Sequence, residues 1–165
     1  MGLFSFIKNA GAKVFGIGKT VEEEAKEDAM EAASKELKLE EAAARKLEET
    51  IRDLQLQVEG LKVFIDADIA IISGLAYNQA TREKVVLVVG NSSGIATVDD
   101  QMTVEYEEPI AKFHTVVSGD TLGKIARTYY GNAMKYPVVF EANKPMLTDP
   151  DKIYPGQVLR IPVLD

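Results

Sequence analysis

Between Val21 and Leu56 the chain carries no Gly or Pro and is built largely from Ala, Glu, Lys and Leu, residues of high helix propensity. Within it Leu37, Ala44, Leu47, Ile51 and Leu54 recur at spacings of three, four and seven, the signature of one apolar helix face. No sustained heptad accompanies them, so the charged remainder predicts a solvated face rather than a coiled coil. The period then changes to that of strands. Leu61–Gly74 holds two β-branched runs split by Asp66-Ala67-Asp68 and predicts a β-hairpin. Asn78–Val89 predicts a helix with Asn78 as N-cap and Gly90 as its stop, although the Val-rich end also suits a strand. Gly94–Val104 predicts a further strand. Beyond Glu107-Glu108-Pro109 come a strand at Phe113–Val117, a turn at Ser118–Thr121 rich in helix-capping oxygens, and a helix at Leu122–Tyr129 closed by Gly131. A second helix runs from Asn132 to about Ala142, stopped by Asn143-Lys144-Pro145, and Tyr154-Pro155-Gly156-Gln157 turns into a last strand, Val158–Ile161.

The expected fold class is α+β, in two small domains. An N-terminal segment and helix (1–40) precede a helix-strand-strand-helix-strand unit (41–105); a linker (106–112) leads to a strand-helix-helix-strand unit (113–165). Charge supports the division: 6 basic and 8 acidic residues in 1–40, 6 and 13 in 41–108, and 7 and 5 in 109–165. The whole chain, 165 residues with 46% hydrophobic and a net charge of −7, has enough apolar surface to fold.

Composition removes several functions. With no Cys and one His, disulfide scaffolds, zinc ribbons, iron–sulfur clusters and thiol catalysis are excluded. His114 has no nucleophile pattern around it and reads as structural. Asp99 and Asp100 are adjacent in a strand and so point to opposite faces, which suits a turn or cap better than paired acid–base work. Tyr129-Tyr130 reads as core and rim. Gly18-Lys19-Thr20 lacks both the first glycine of a phosphate loop and a preceding strand. No enzyme activity is expected, and without a basic stripe no nucleic-acid partner. Lys8 and Lys13 interrupt the N-terminal apolar run, Phe6 stands where a myristoylation signal needs Ser or Thr, and no stretch approaches the ~20 apolar residues that span a bilayer. A cytoplasmic monomer without a transmembrane segment is expected.

The run Phe113-His114-Thr115-Val116-Val117-Ser118-Gly119-Asp120-Thr121-Leu122-Gly123-Lys124-Ile125-Ala126 resembles the opening of a LysM domain. Val139, Asn143 and Ile153-Tyr154-Pro155-Gly156-Gln157-Val158-Leu159-Arg160-Ile161-Pro162 match its second helix and its ending. The middle unit resembles a BON domain in its α-β-β-α-β order, in Ile71-Ile72-Ser73-Gly74 and in Gly94-Ile95-Ala96-Thr97-Val98-Asp99-Asp100. With Met1-Gly2-Leu3-Phe4, Gly90–Ile95 and Glu141–Leu147 added, the whole chain resembles the small bacterial BON–LysM proteins that bind potassium; only about residues 16–60 depart, by being longer and richer in Ala and Glu. The fold this implies is BON (α-β-β-α-β) followed by LysM (β-α-α-β).

The resemblance implies K⁺ as the ligand, held where the N-terminal segment meets the BON domain. K⁺ is bound by replacing its hydration shell with oxygens, and neutral main-chain carbonyls suffice, whereas clustered carboxylates favour Ca²⁺ or Mg²⁺. Such a site needs irregular backbone, which Gly90-Asn91-Ser92-Ser93-Gly94 and Ala10-Gly11-Ala12 offer. The candidate carbonyl donors are Ile7, Ala10, Gly90, Ser92 and Ile95. The same loop read by itself is an ordinary helix-to-strand turn. Leu3, Phe4, Phe6, Ile7, Val14 and Phe15 make the N-terminal segment amphipathic; docking on the folded domains is preferred over contact with a membrane. As the alternative function, LysM resemblance implies binding of N-acetylglucosamine-containing glycan such as peptidoglycan, at Gly119, Asp120, Thr121, Leu122 and Ile153. A cytoplasmic protein meets no polymeric cell wall, so the LysM domain is expected instead to pack on the BON domain and help close it.

Overall fold

The structure, a computed structural model, describes residues 2–6 and 26–164, the side chains of 26–31 excepted. The candidates Ile7 and Ala10, the Ala10-Gly11-Ala12 stretch, Val14, Phe15 and Gly18-Lys19-Thr20 lie outside the described residues. In chain order the elements are β1 (Gly2–Ser5), α1 (Lys26–Asp53), β2 (Val58–Asp66), β3 (Ile69–Asn78), α2 (Gln79–Gly90), β4 (Thr97–Asp100), β5 (Thr103–Tyr106), β6 (Lys112–Thr115), α3 (Leu122–Tyr130), α4 (Tyr136–Ala142) and β7 (Val158–Ile161). They form a mixed α+β chain with two sheets. The larger has the order β1-β4-β3-β2, with β5 also pairing β3; the smaller is the antiparallel pair β6-β7.

Two cores follow from these sheets. In the first, Val63, Ile65, Ala70, Ile72 and Val98 point from alternate strand positions onto Ala43, Ala44, Leu47 and Ile51 of α1 and Val85, Val86 and Val89 of α2. The second gathers Val116, Leu122, Ile125, Ala126, Val139, Leu147, Leu159 and Ile161. Leu37, expected on the apolar face of α1, is instead 51% exposed, because the helix runs on past the sheet and residues 32–39 are all open to solvent. Two of its acids serve the sheet: Glu48 Oε1 accepts from Val63 N (2.9 Å) and Glu40 Oε1 from Ala67 N (2.8 Å), the latter in the β2–β3 turn.

Several expected boundaries shift. The limit set at residue 40 falls inside α1, which is one continuous helix, and β1 joins the first sheet by pairing antiparallel with the distant β4, Leu3 opposite Asp99 and Phe4 opposite Val98. The single strand expected at Gly94–Val104 is two. Asp100 Oδ1 accepts from Met102 N (3.0 Å), which bends the chain at Gln101-Met102, so that β4 and β5 pair in parallel with opposite ends of β3. Tyr106 therefore belongs to β5 and not to the linker, and Lys112 to β6. In the second unit the helix expected from Asn132 begins as a 3₁₀ turn, Ala133–Lys135, capped by the Asn132 side chain, before α4 continues it. Gly131 closes α3 in the left-handed conformation (φ 70°), the geometry that glycine adopts without strain.

His114 lies between Asp120 Oδ2 (2.9 Å) and the Tyr129 hydroxyl (3.3 Å), and the Tyr130 hydroxyl donates to Pro162 O (2.7 Å). Asp100 is buried and pairs with Arg82 (2.7 Å), while Asp99 accepts from the Gln101 amide.

Candidate functional site

Helix α2 starts where expected, with the Asn78 side chain accepting from Thr81 N (2.9 Å), but it ends differently. Gly90 is its last residue, in ordinary helical conformation, and Asn91 is the C-cap (φ −81°). Glycine is needed at 90 for closeness. The Phe6 ring lies against it, and a Cβ built there would stand 2.0 Å from Phe6 Cζ and 2.2 Å from both Cε atoms, far inside van der Waals contact. Phe6 is placed by β1 and by its own N–H, which donates to Ala96 O (2.7 Å).

The loop that follows is buried, Ser92, Ser93 and Ile95 all being nearly inaccessible. It curls back under the helix end. Asn91 N donates to Leu87 O (2.9 Å), the Ser92 hydroxyl to Val88 O (2.7 Å), Ser92 N to Val89 O (3.1 Å) and Ile95 N to Ser92 O (3.4 Å). Ala96 N and Thr97 N then both donate to Asp68 O in the β2–β3 turn. Of the five candidate donors, the structure brings Gly90, Ser92 and Ile95 into this one loop, with Phe6 against it; Ile95 can offer only its carbonyl, because its side chain is in the core. A helix C-terminus concentrates carbonyl oxygens and the negative end of the helix dipole, and the last turn of α2 carries no basic side chain to offset it. Each carbonyl has two lone pairs, so one N–H donor does not exhaust it. Neutral main-chain oxygens are the kind of donor by which a protein replaces the hydration shell of a large monovalent cation. Among the described residues no three His, Cys, Asp or Glu side chains come close enough together to hold a metal ion.

Asn91 faces the other way, toward the second core. Its amide donates to Val158 O (3.0 Å) and its Oδ1 accepts from Val158 N (2.9 Å). Two residues on, the buried Asn143 does the same to Arg160: Nδ2 donates to Arg160 O (2.8 Å) and Oδ1 accepts from Arg160 N (2.8 Å), while Nδ2 also reaches Val139 O. Both groups of alternate β7 residues point away from β6, so two asparagine amides finish the free edge of β7 as a third strand would. One comes from its own unit and the other from the end of α2.

An ion pair reinforces this seam. Arg160 Nε donates to Glu83 Oε2 (2.5 Å) with the two side chains 10% and 3% exposed. Glu83 Oε1 also accepts from Gln79 Nε2 and from Ala111 N, both 2.9 Å, so the carboxylate ties α2, the linker and β7 together. Burial, and then repulsion from Arg160, lowers the pKa of the neighbouring Lys84. Phe4 and Phe113 meet edge to face (centroids 5.6 Å), adding a third contact. No local pattern in the sequence joins Glu83 to Arg160, which lie 77 residues apart.

The glycan candidates sit at the start of α3. Thr121 Oγ1 accepts from Lys124 N as N-cap, Gly119 O accepts from Lys124 Nζ (2.7 Å), Leu122 is in the core and Ile153 is half-buried beside it. Asp120 Oδ2 accepts from Val117 N (3.0 Å) and faces His114, and these bonds, Val117 first, lower its pKa from the usual 3.8. The bonds therefore stabilise the second unit above pH ~4 and are lost as pH falls through the depressed value. Urea unfolding between pH 2 and 6 is expected to show a loss of stability in that acid range that Asp120→Asn lacks; equal pH profiles would refute the assignment.

Residues 114–162 match the LysM domain family, so a LysM domain follows the first α+β unit. Over 163 residues, 98% of this chain and 99% of the relative, the chain is 40% identical to the potassium binding protein Kbp of Escherichia coli O6:H1, and it belongs to that protein's family. A shorter match, 49% identical over 49 residues, covers 30% of this chain and 19% of an uncharacterized protein of Deinococcus radiodurans. No helix among the described residues is long and apolar enough to cross a membrane.

Proposed function

We propose that this protein is a cytoplasmic, monomeric, non-enzymatic K⁺ sensor, whose N-terminal BON-type domain holds the ion with main-chain oxygens of the Gly90–Ile95 loop and of the segment that includes Ile7 and Ala10. The observation that carries the reading is the buried carbonyl-rich end of α2, pressed by Phe6 on one side and tied by Asn91 to β7 on the other. Membership of a family that includes a potassium binding protein supports it. Binding would act by linkage: an ion that prefers the closed arrangement stabilises it by its differential affinity. Because the loop carries both contacts, K⁺ would tighten the N-terminal strand and the LysM docking together.

Thermal unfolding with KCl titrated against NaCl at matched ionic strength tests this. Stabilisation specific to K⁺ is expected to grow as RT ln(1 + [L]/Kd), about 2.7 kcal/mol at a hundredfold excess over Kd. Equal responses to the two salts would reduce the effect to screening of the −7 charge and sink the reading.

The LysM match favours one second reading, an adaptor that binds N-acetylglucosamine-containing glycan through Gly119, Asp120, Thr121, Leu122 and Ile153. Saturable amide shifts at these residues on adding chitin or peptidoglycan fragments would support it.

A further inference from the structure

The two helices of the first unit cover one face of its sheet and leave the other open. Residues of opposite parity to the core, Phe64 on β2 and Ile69, Leu75 and Tyr77 on β3, stand on that open face. At its far end Gln57, Val58 and Glu59 of the β2 end, Leu75 and Tyr77 of β3 and Glu105 of β5 line an open groove of about 310 Å³. That volume is at the lower limit of small-molecule sites. Tyr77 and Tyr106 flank it, 48% and 52% exposed, their rings edge to face at 5.1 Å.

The chemistry of this groove is one-sided. Leu75 and Tyr77 give it apolar surface, Glu59 and Glu105 give it carboxylates, and none of the lining residues is basic, while the Val58 side chain packs on the core behind it. The Glu105 carboxylate stands beside the Tyr106 hydroxyl, and hydrogen bonding to it raises the Tyr106 pKa. An aromatic face with its negative quadrupole attracts a cation, and nearby carboxylates add charge-assisted hydrogen bonds to any N–H it carries. A bare alkali ion gains nothing from the apolar surface. We propose that the groove binds a small organic cation, an ammonium or guanidinium group on a short alkyl stem, with the charge against the Tyr77 ring between Glu59 and Glu105 and the stem on Leu75. This site is separate from the Gly90–Ile95 loop and does not depend on it. Binding is weak, about millimolar, as two exposed charge contacts and a short stem imply.

The test is a titration of the full chain with agmatine in constant KCl and at constant ionic strength, followed by amide shifts, with butane-1,4-diol as the uncharged control. Saturable shifts confined to residues 57–59, 75–78 and 103–106 are expected. Tyr77→Ala and Glu105→Gln should each weaken agmatine about fivefold, and neither should alter the K⁺-dependent unfolding temperature. Glu105 is exposed at the end of a short strand, so its substitution reads binding even if the tyrosine variant folds poorly. Shifts of equal size with the diol, shifts unchanged in Glu105→Gln, or shifts centred elsewhere would each overturn the proposal.

Discussion

Replacing Gly90 by alanine is expected to destabilise the protein by about 1–3 kcal/mol, although the residue is the last of a helix, where alanine is intrinsically favoured over glycine by about 0.8–1 kcal/mol. The two effects oppose each other, and the steric one wins. The new methyl group would occupy the space of the Phe6 ring, so either the ring leaves or the helix end shifts. Because β1 is only four residues long and pairs with β4 alone, losing the Phe6 anchor should loosen the whole strand. The double variant Phe6→Ala, Gly90→Ala should be less destabilised than the sum of the single changes, since the clash vanishes when the ring does. Thermal unfolding of the three variants measures this coupling; a Gly90→Ala protein as stable as the wild type would show that the ring does not lie there. The same experiment with KCl separates packing from ion binding. If K⁺ sits at this loop, Gly90→Ala should lose the K⁺-specific part of the stabilisation, and a variant that is destabilised yet still answers to K⁺ would move the site elsewhere.

That glycine shows where sequence reasoning reaches its limit. The pattern at Asn78–Gly90 is legible as a helix because Asn78 caps it and the chain turns after it, and the loop beyond is recognisable as irregular. Yet Gly90 reads as a helix stop, while its role is to admit an aromatic ring from a segment 84 residues earlier, a contact no local pattern encodes. Strand β1 is hidden for a related reason: Gly-Leu-Phe-Ser is too short to establish a period, and its pairing rests on β4. By contrast, the hairpin β2–β3, the Thr121 and Gly131 caps of α3 and the terminal strand β7 are local features, and they stand where their residues place them. The exposed overhang of α1 is a third case. Its apolar period continues through Leu37, but the sheet beneath it does not extend so far, and amphipathic patterning says nothing of how long the partner surface is. In β7 all four residues, Val158 to Ile161, are buried, and no local pattern shows that Arg160 is covered by packing against α2.

That burial makes Arg160 the residue whose loss should matter most. Arg160→Met removes the cation from a nearly inaccessible Glu83, and breaking one half of a buried ion pair costs about 3–5 kcal/mol, because the remaining charge keeps its desolvation penalty without its partner. Gln79 Nε2 and Ala111 N still donate to the carboxylate, but neither neutralises it. Adding Glu83→Gln should restore much of the stability: the glutamine oxygen can still accept from Ala111 N, and no charge remains buried. Denaturant unfolding of wild type, Arg160→Met and the double variant gives the coupling directly, and a single variant within about 1 kcal/mol of wild type would mean that the pair is open to water. The backbone bonds of Arg160 to Asn143 are untouched, so the LysM core should stay folded while its hold on α2 weakens. ¹⁵N relaxation is then expected to show the two units tumbling more independently. If the K⁺ reading is right, the ion should still stabilise the first unit in this variant but no longer raise the unfolding temperature of the second, because the path between them runs through Glu83–Arg160 and Asn91–Val158.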